Sequence, residues 1–304
     1  MRIGILGAGA IGGFFGGRLL QAGRDVTFIV RPARAQALFR DGLTIASPGG
    51  EVTLPAPPSR AAGAAGEPFD LILLACKAYD LEGAVDSIAP SVGPQTAILP
   101  LLNGMRHLDV LRARFGDGAV LGGACMIAAT LRPDGRVVQL TELAALTFGE
   151  LDGSRPERID RIEQVLSDAR FDASASAAIL ATMWEKWVFL ATTAGITCLM
   201  RGTIGEIVAA GGSSTTLALL NECAAIAAAA GYPVSETSIS ELRTVVTTPQ
   251  SRMGASMFRD LQQGLRVEND HVIVDLLRRA PKPEECRTLA TVAAHLNVYE
   301  RQRQ

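Results

Sequence analysis

Near the start of the chain, Gly7-Ala8-Gly9-Ala10-Ile11-Gly12 follows a short apolar run and opens a helical pattern. Each glycine of this GxGxxG string has its own reason. Gly7 permits a tight turn, Gly9 lets backbone approach a pyrophosphate, and Gly12 allows close helix–strand packing. Phosphates would meet the N–H groups of Ala10 and Ile11 and the positive end of the helix dipole. Strand, glycines and helix in register make dinucleotide binding the expectation. The next apolar run, Thr27-Phe28-Ile29-Val30, ends in Arg31, followed by Pro32 and Arg34. An acidic residue here would hold a ribose 2′-hydroxyl, whereas a guanidinium can grip a 2′-phosphate through paired charge-assisted hydrogen bonds. NADP(H) is therefore the expected cofactor.

Two more polar residues end apolar runs. Lys77 follows Asp70–Cys76, and Asn103 follows Leu99-Pro100-Leu101-Leu102. In open α/β sheets, ligands lie beyond the carboxyl ends of the strands, so both residues are candidates to meet cofactor or substrate. In the back half, Met183–Leu190 is an apolar helix carrying Glu185 and Lys186. A lysine in such a setting snorkels, pairs or does chemistry. Ser256-Met257 opens a helical stretch that Gly264 ends. Glu268 then opens another helix, where a carboxylate is also a favourable N-terminal charge.

These residues need a scaffold of alternating elements. Strand signals at Arg2–Leu6, Asp25–Val30, Asp70–Cys76 and Ala97–Leu102 alternate with helical ones at Ala10–Ala22 and Ala33–Arg40. Glu51–Leu54 reads as a short strand beside Leu43–Ala46. Continuous apolar runs suit strands covered on both faces, which predicts a doubly wound, mostly parallel sheet. Val120–Met126, Arg136–Leu140 and Ala145–Gly149 read as later strands, with Pro133-Asp134-Gly135 turning into an antiparallel extension. From about Asp172 helix formers take over, most clearly at Ile179–Met200, Thr215–Ala230 and Val267–Arg279. The fold class expected is α/β, an N-terminal Rossmann-type doubly wound sheet over 1–172 followed by an all-α C-terminal domain over 173–304.

Composition narrows the functional classes. The 304 residues carry 29 Lys and Arg against 31 Asp and Glu, a net charge of −2, with only 5% aromatics. A nucleic-acid partner would call for a basic stripe or stacking platforms, so none is expected. No run reaches the length of a membrane span. The apolar stretch Met1–Gly17 has one early Arg and no polar exit, unlike a signal peptide. Five cysteines (Cys76, Cys125, Cys198, Cys223, Cys286) form no CxxC pair, and His107, His271 and His295 have no zinc-site spacing. A reducing cytoplasm and no metal are expected. The Ala-rich helix near 215–230 could pack internally or across a homodimer.

Taken in order, the motifs resemble those of the ketopantoate reductase (2-dehydropantoate 2-reductase) family along essentially the whole chain. The likeness rests on the GAGAIGG string from Gly7, Arg31, Cys76-Lys77-Ala78, Leu101–Met105, Trp184–Trp187 and Ser256–Glu268. It implies NADPH-dependent reduction of ketopantoate to pantoate, a step of pantothenate biosynthesis. By that resemblance Lys186 is the general acid, Asn103 lies between nicotinamide and substrate, Ser256 meets the substrate carboxylate, and Glu268 its terminal hydroxyl. Arg31 and Lys77 match residues on the NADPH side. One departure stands out. The family pattern implies asparagines one and two turns after the lysine, where this chain has Leu190 and Ala194. Thr193 and Thr197 lie near that face and are expected to supply hydroxyls instead. The departure keeps another branched or bulky 2-oxo acid in view as substrate; an NADP-binding sensor without turnover is the alternative of another class.

Overall fold

The structure is a computed structural model that describes residues 1–303. Packing divides the chain into two units, one of residues 1–102 and 107–179, the other of 103–106 and 180 onward.

The first unit opens with β1 (Arg2–Leu6), α1 (Ala10–Gln21), β2 (Asp25–Val30), α2 (Pro32–Asp41), β3 (Leu43–Ser47), β4 (Gly50–Leu54) and β5 (Ser59–Ala61). It continues through β6 (Leu71–Leu74), α3 (Leu81–Ile88), β7 (Ala97–Pro100) and α4 (Arg106–Phe115). The long hairpin β8 (Leu121–Leu131) and β9 (Val137–Glu150), then α5 (Glu157–Leu166) and β10 (Asp172–Ala175), complete it. Five parallel strands form one sheet in the order β5-β2-β1-β6-β7. β6 and β7 are buried throughout, which explains their uninterrupted apolar sequence. The chain leaves β1 for β2 on one side and later returns to β6 on the other. The carboxyl end of β1 is thus a topological switch point, the usual place for a ligand in a doubly wound sheet.

A second sheet runs β10-β9-β3-β4, with β8 paired to β9. Helix α1 packs against both sheets, and glycines make that possible. A side chain at Gly16 would come within 2.7 Å of Phe28 and 2.9 Å of Ile5, in the parallel sheet. One at Gly13 would meet Val137 at 2.8 Å, and one at Gly17 would meet Ile45 at 2.5 Å, both in the second sheet. Glycines four apart share a helix face, so Gly12 and Gly16 serve one sheet while Gly13 and Gly17 serve the other.

The expected strands at 136–140 and 145–149 are one continuous β9. The register shifts between Ile127 and Ala129 of its partner, where residues 140–143 of β9 stand against a single residue and break the pattern. The antiparallel extension after Pro133-Asp134-Gly135 is present. β5 and β10 were not legible in the sequence, being only three and four residues long with alternate residues exposed.

The second unit contains α6 (Ile179–Met200), α7 (Ile204–Ala209), α8 (Ser213–Ala229), α9 (Glu236–Val246), α10 (Ser256–Gln262), α11 (Asp275–Arg278) and α12 (Arg287–Arg303). It holds no strand among the described residues. Gly231 follows α8 and Gly264 follows α10 at positive φ, as helix-ending glycines do. The predicted helix over Val267–Arg279 starts later. Val267 and Glu268 precede it, and its first turn, Asp270–Val274, is a π-helix. Cys198 and Cys223 are fully buried, and burial pushes both thiols up to about 12, so they pack as small apolar residues.

Candidate active site

At the carboxyl end of β1 the chain turns through Gly7, whose φ of +92° suits glycine and whose N–H donates to Ile29 O at 3.0 Å. Gly12 lies so close beneath that an added Cβ would overlap Gly7 O and approach Ala75 Cβ to 3.0 Å. Gly9 is different: its Cβ position has nothing within 4 Å. Gly9 is also the N-cap of α1, where no side chain caps the helix and no acidic residue sits in the first turn. The half-buried Ala10 and Ile11 begin the helix there. Open space over Gly9, in front of an uncapped helix start, fits a dinucleotide pyrophosphate. The loop is buttressed from outside by Arg34, whose Nε donates to Ala8 O at 3.1 Å and whose Nη2 donates to Gly135 O at 3.3 Å.

Arg31 caps α2 at the end of β2 and is largely exposed. Its guanidinium pairs with Asp80 Oδ2 at 2.9 Å. Lys77 is exposed at the start of the single helical turn Ala78–Asp80, and its carbonyl accepts the Asp80 N–H at 2.9 Å. Both basic residues stand beyond the carboxyl ends of parallel strands, on either side of the glycine loop.

The helical unit supplies a second constellation. Asn103 is half-buried and begins the 103–106 segment, which packs with the helices although first-unit residues flank it. Gly104 has φ +79°, and a side chain there would overlap His271 O, with Trp187 next at 3.8 Å. Trp187, the neighbour of Lys186 on α6, is buried and donates its indole N–H to Val272 O at 2.9 Å. The N–H groups of His271 and Val272 donate to Glu268 O at 3.2 and 3.0 Å. One frame built on Trp187 and the 268–272 backbone thus carries Asn103, Lys186 and Glu268, each one residue from a member or itself a member. The frame is pinned to α12 by Val267 N–H to Glu300 Oε1 at 2.8 Å and by Asn269 Nδ2 to Asn297 Oδ1 at 2.9 Å. The π turn within it widens the helix where two of its carbonyls are approached from other elements.

Glu268 is buried at 8% exposure and lies just before the π turn; it does not sit on a helix as a solvated N-terminal charge. Lys186 is half-buried on α6. Ser256 is exposed at the first position of α10, outside the hydrogen bonds that build the frame. His271 is buried, and its Nδ1 has no hydrogen-bond partner among the described residues. Burial and then the Arg106 guanidinium hold its imidazole below the ordinary range, against the carboxylates of Glu268, Asp270 and Asp275. It is therefore neutral at neutral pH.

The hydroxyls expected from Thr193 and Thr197 are spent elsewhere. Thr193 donates to Phe189 O at 2.8 Å and Thr197 to Thr193 O at 2.6 Å, both buried within the turns of α6. A buried helical threonine satisfies itself on the carbonyl four residues back, so neither replaces the missing amide as a donor. Leu190 is half-buried and Ala194 buried. Arg34, Gly104 and Trp187 were not singled out as site residues from sequence. The Asn-Gly dipeptide at 103–104 was the available signal for Gly104, while Arg34 and Trp187 become visible only through long-range contacts.

Residues 3–153 match the family model described as ketopantoate reductase PanE/ApbA, and residues 178–300 match its C-terminal counterpart. The chain belongs to the ketopantoate reductase family. It is accordingly a ketopantoate reductase-type oxidoreductase, with the Rossmann-type sheet and helical second domain of its structural neighbours. Among curated relatives, the uncharacterized oxidoreductase YkpB of Bacillus subtilis (strain 168) is 35% identical over 302 residues, covering 99% of both chains. The 2-dehydropantoate 2-reductase of Archaeoglobus fulgidus is 30% identical, covering 89% of this chain and 88% of its own. Among solved structures, the 2-dehydropantoate 2-reductase of Geobacter metallireducens GS-15 superposes with a TM-score of 0.89 at 24% identity, covering 98% and 99%.

Proposed function

We propose that this ketopantoate reductase relative reduces the C2 carbonyl of a 2-oxo acid with NADPH, and that ketopantoate, giving pantoate, is its substrate. The observation that carries the reading is the frame on which Asn103, Lys186 and Glu268 are mounted, in a chain that also holds an open glycine cradle flanked by Arg31. In this reading the Gly7–Gly12 loop, with the N–H groups of Ala10 and Ile11, binds the pyrophosphate. Arg31 takes the 2′-phosphate, and Lys77 adds positive charge on the same side. When bound, NADPH supplies the hydride that reduces C2.

The remaining work belongs to side chains of the helical unit. Charge grows on the carbonyl oxygen as C2 is reduced, and the Lys186 ammonium stabilises it and then delivers the proton. Asn103 orients the reacting groups through its amide. The Ser256 hydroxyl donates to the substrate carboxylate. Glu268 accepts from the terminal hydroxyl, and an analogue lacking that hydroxyl forfeits this hydrogen bond to a buried carboxylate. Product of this kind feeds pantothenate biosynthesis in the cytoplasm.

Leu190 and Ala194 favour a second substrate reading. With no amide on that part of α6 and with Thr193 and Thr197 turned inward, a bulkier apolar 2-oxo acid would also suit Lys186. NADPH oxidation followed by absorbance over a panel of 2-oxo acids separates the cases. Turnover highest with ketopantoate supports the first reading, and preference for a bulkier acid supports the second. Tight NADPH binding without turnover on any acid would overturn both in favour of a nucleotide sensor.

A further inference from the structure

The parallel sheet places β1 between β2 and β6. Arg31 closes β2, and Asp80 ends the turn that follows β6. Their ion pair therefore joins two strand ends separated by the strand that carries the glycine loop, a span of about two strand spacings, roughly 9–10 Å. It crosses the side of the cradle where Arg31 would have to receive a 2′-phosphate. Both partners are substantially exposed, at 79% and 42%, so the pair is weakly held and readily exchanged. The Asp80 carboxylate is the N-cap of α3 but makes no capping hydrogen bond among the described residues.

We infer that Asp80 is a cofactor-specificity residue, holding the Arg31 guanidinium in competition with the 2′-phosphate and so narrowing the preference for NADPH over NADH. The inference rests on the proposed NADPH reading and adds a residue that opposes it. A 2′-phosphate must take Arg31 from Asp80 and also stand near a like charge. A 2′-hydroxyl faces neither cost, and a carboxylate is itself a good acceptor for it.

The test is equilibrium binding of NADPH and NADH to the purified protein, by titration of nucleotide fluorescence or calorimetry, without substrate. Asp80→Asn keeps a residue favoured at helix N-caps, so the fold is retained. It should tighten NADPH about two- to fivefold at low salt, the size of an exposed ion pair, while NADH holds steady or weakens. The gain should shrink as salt rises. In an Arg31→Ala background the gain should also shrink, because the guanidinium being competed for is gone. An unchanged or weaker NADPH affinity, an equal shift for both nucleotides, or a gain undiminished without Arg31 would each overturn the inference. Arg31→Ala alone tests the underlying reading. If it weakens NADPH far more than NADH while Asp80→Asn does nothing, the 2′-phosphate assignment stands and only the role of Asp80 falls. If it weakens both alike, the assignment itself falls.

Discussion

Two glycines that look alike in the sequence differ sharply in their surroundings within the Gly7–Gly12 loop. Gly12 is glycine because the protein is in the way: a methyl there would overlap Gly7 O. Gly9 has nothing within 4 Å and an extended backbone with φ −84°, which alanine adopts without strain. The space at Gly9 is open, as the proposed pyrophosphate site requires. Gly9→Ala should leave the thermal midpoint within a degree or two of the parent yet weaken NADPH at least tenfold, as read by melting and fluorescence titration. Unaltered nucleotide affinity in a normally folded variant would move the pyrophosphate away from this loop. Thr193 and Thr197 likewise spend their hydroxyls within α6. Their position near the lysine face was readable from spacing, but their hydroxyl bonds run back along the helix, which spacing does not reveal.

At the scale of elements, the parallel core was legible because strands buried on both faces announce themselves as unbroken apolar runs. Asp25–Val30 and the runs around Leu71–Leu74 and Ala97–Pro100 are all where the pattern put them, and Leu43–Ser47 pairs with Gly50–Leu54 as expected. The second sheet was harder to see. Its strand β10 is four residues long, alternates exposed and half-buried positions, and depends on β9 for its partner. The clue lay in α1, whose second pair of glycines, Gly13 and Gly17, requires another surface opposite the first sheet. In the helical unit, the Lys186 helix was legible from its apolar content, whereas the π turn beside Glu268 was not, because it is fixed by contacts from Gly104 and Trp187 far away in sequence. That frame is testable through Gly104. Gly104→Ala combines a positive φ with overlap on His271 O, and should cost about 1–3 kcal/mol of stability. The account predicts that kcat falls with it while NADPH affinity stays near the parent value. A stable variant with full kcat would show that the frame does not position the chemistry.

For the molecule as a whole, the residues proposed to act fall in both units. The glycine cradle, Arg31 and Lys77 belong to the sheet-bearing unit, and Asn103, Lys186, Ser256 and Glu268 to the helical one. A net charge of −2 gives no broad field to draw in an anion, so in the proposed reading recognition falls to these few placed groups. The chain belongs to the ketopantoate reductase family, and no helix among the described residues is long and apolar enough to cross a membrane. The central claim is that Lys186 protonates the oxygen of a carbonyl reduced by NADPH. It is tested most directly by steady-state NADPH oxidation with ketopantoate in Lys186→Ala, with NADPH affinity measured separately. Alanine is the best helix former at this position of α6, so the helix is kept. The account predicts kcat lower by ~10²–10⁴ with NADPH affinity unchanged within about twofold. A kcat close to that of the parent enzyme would contradict it.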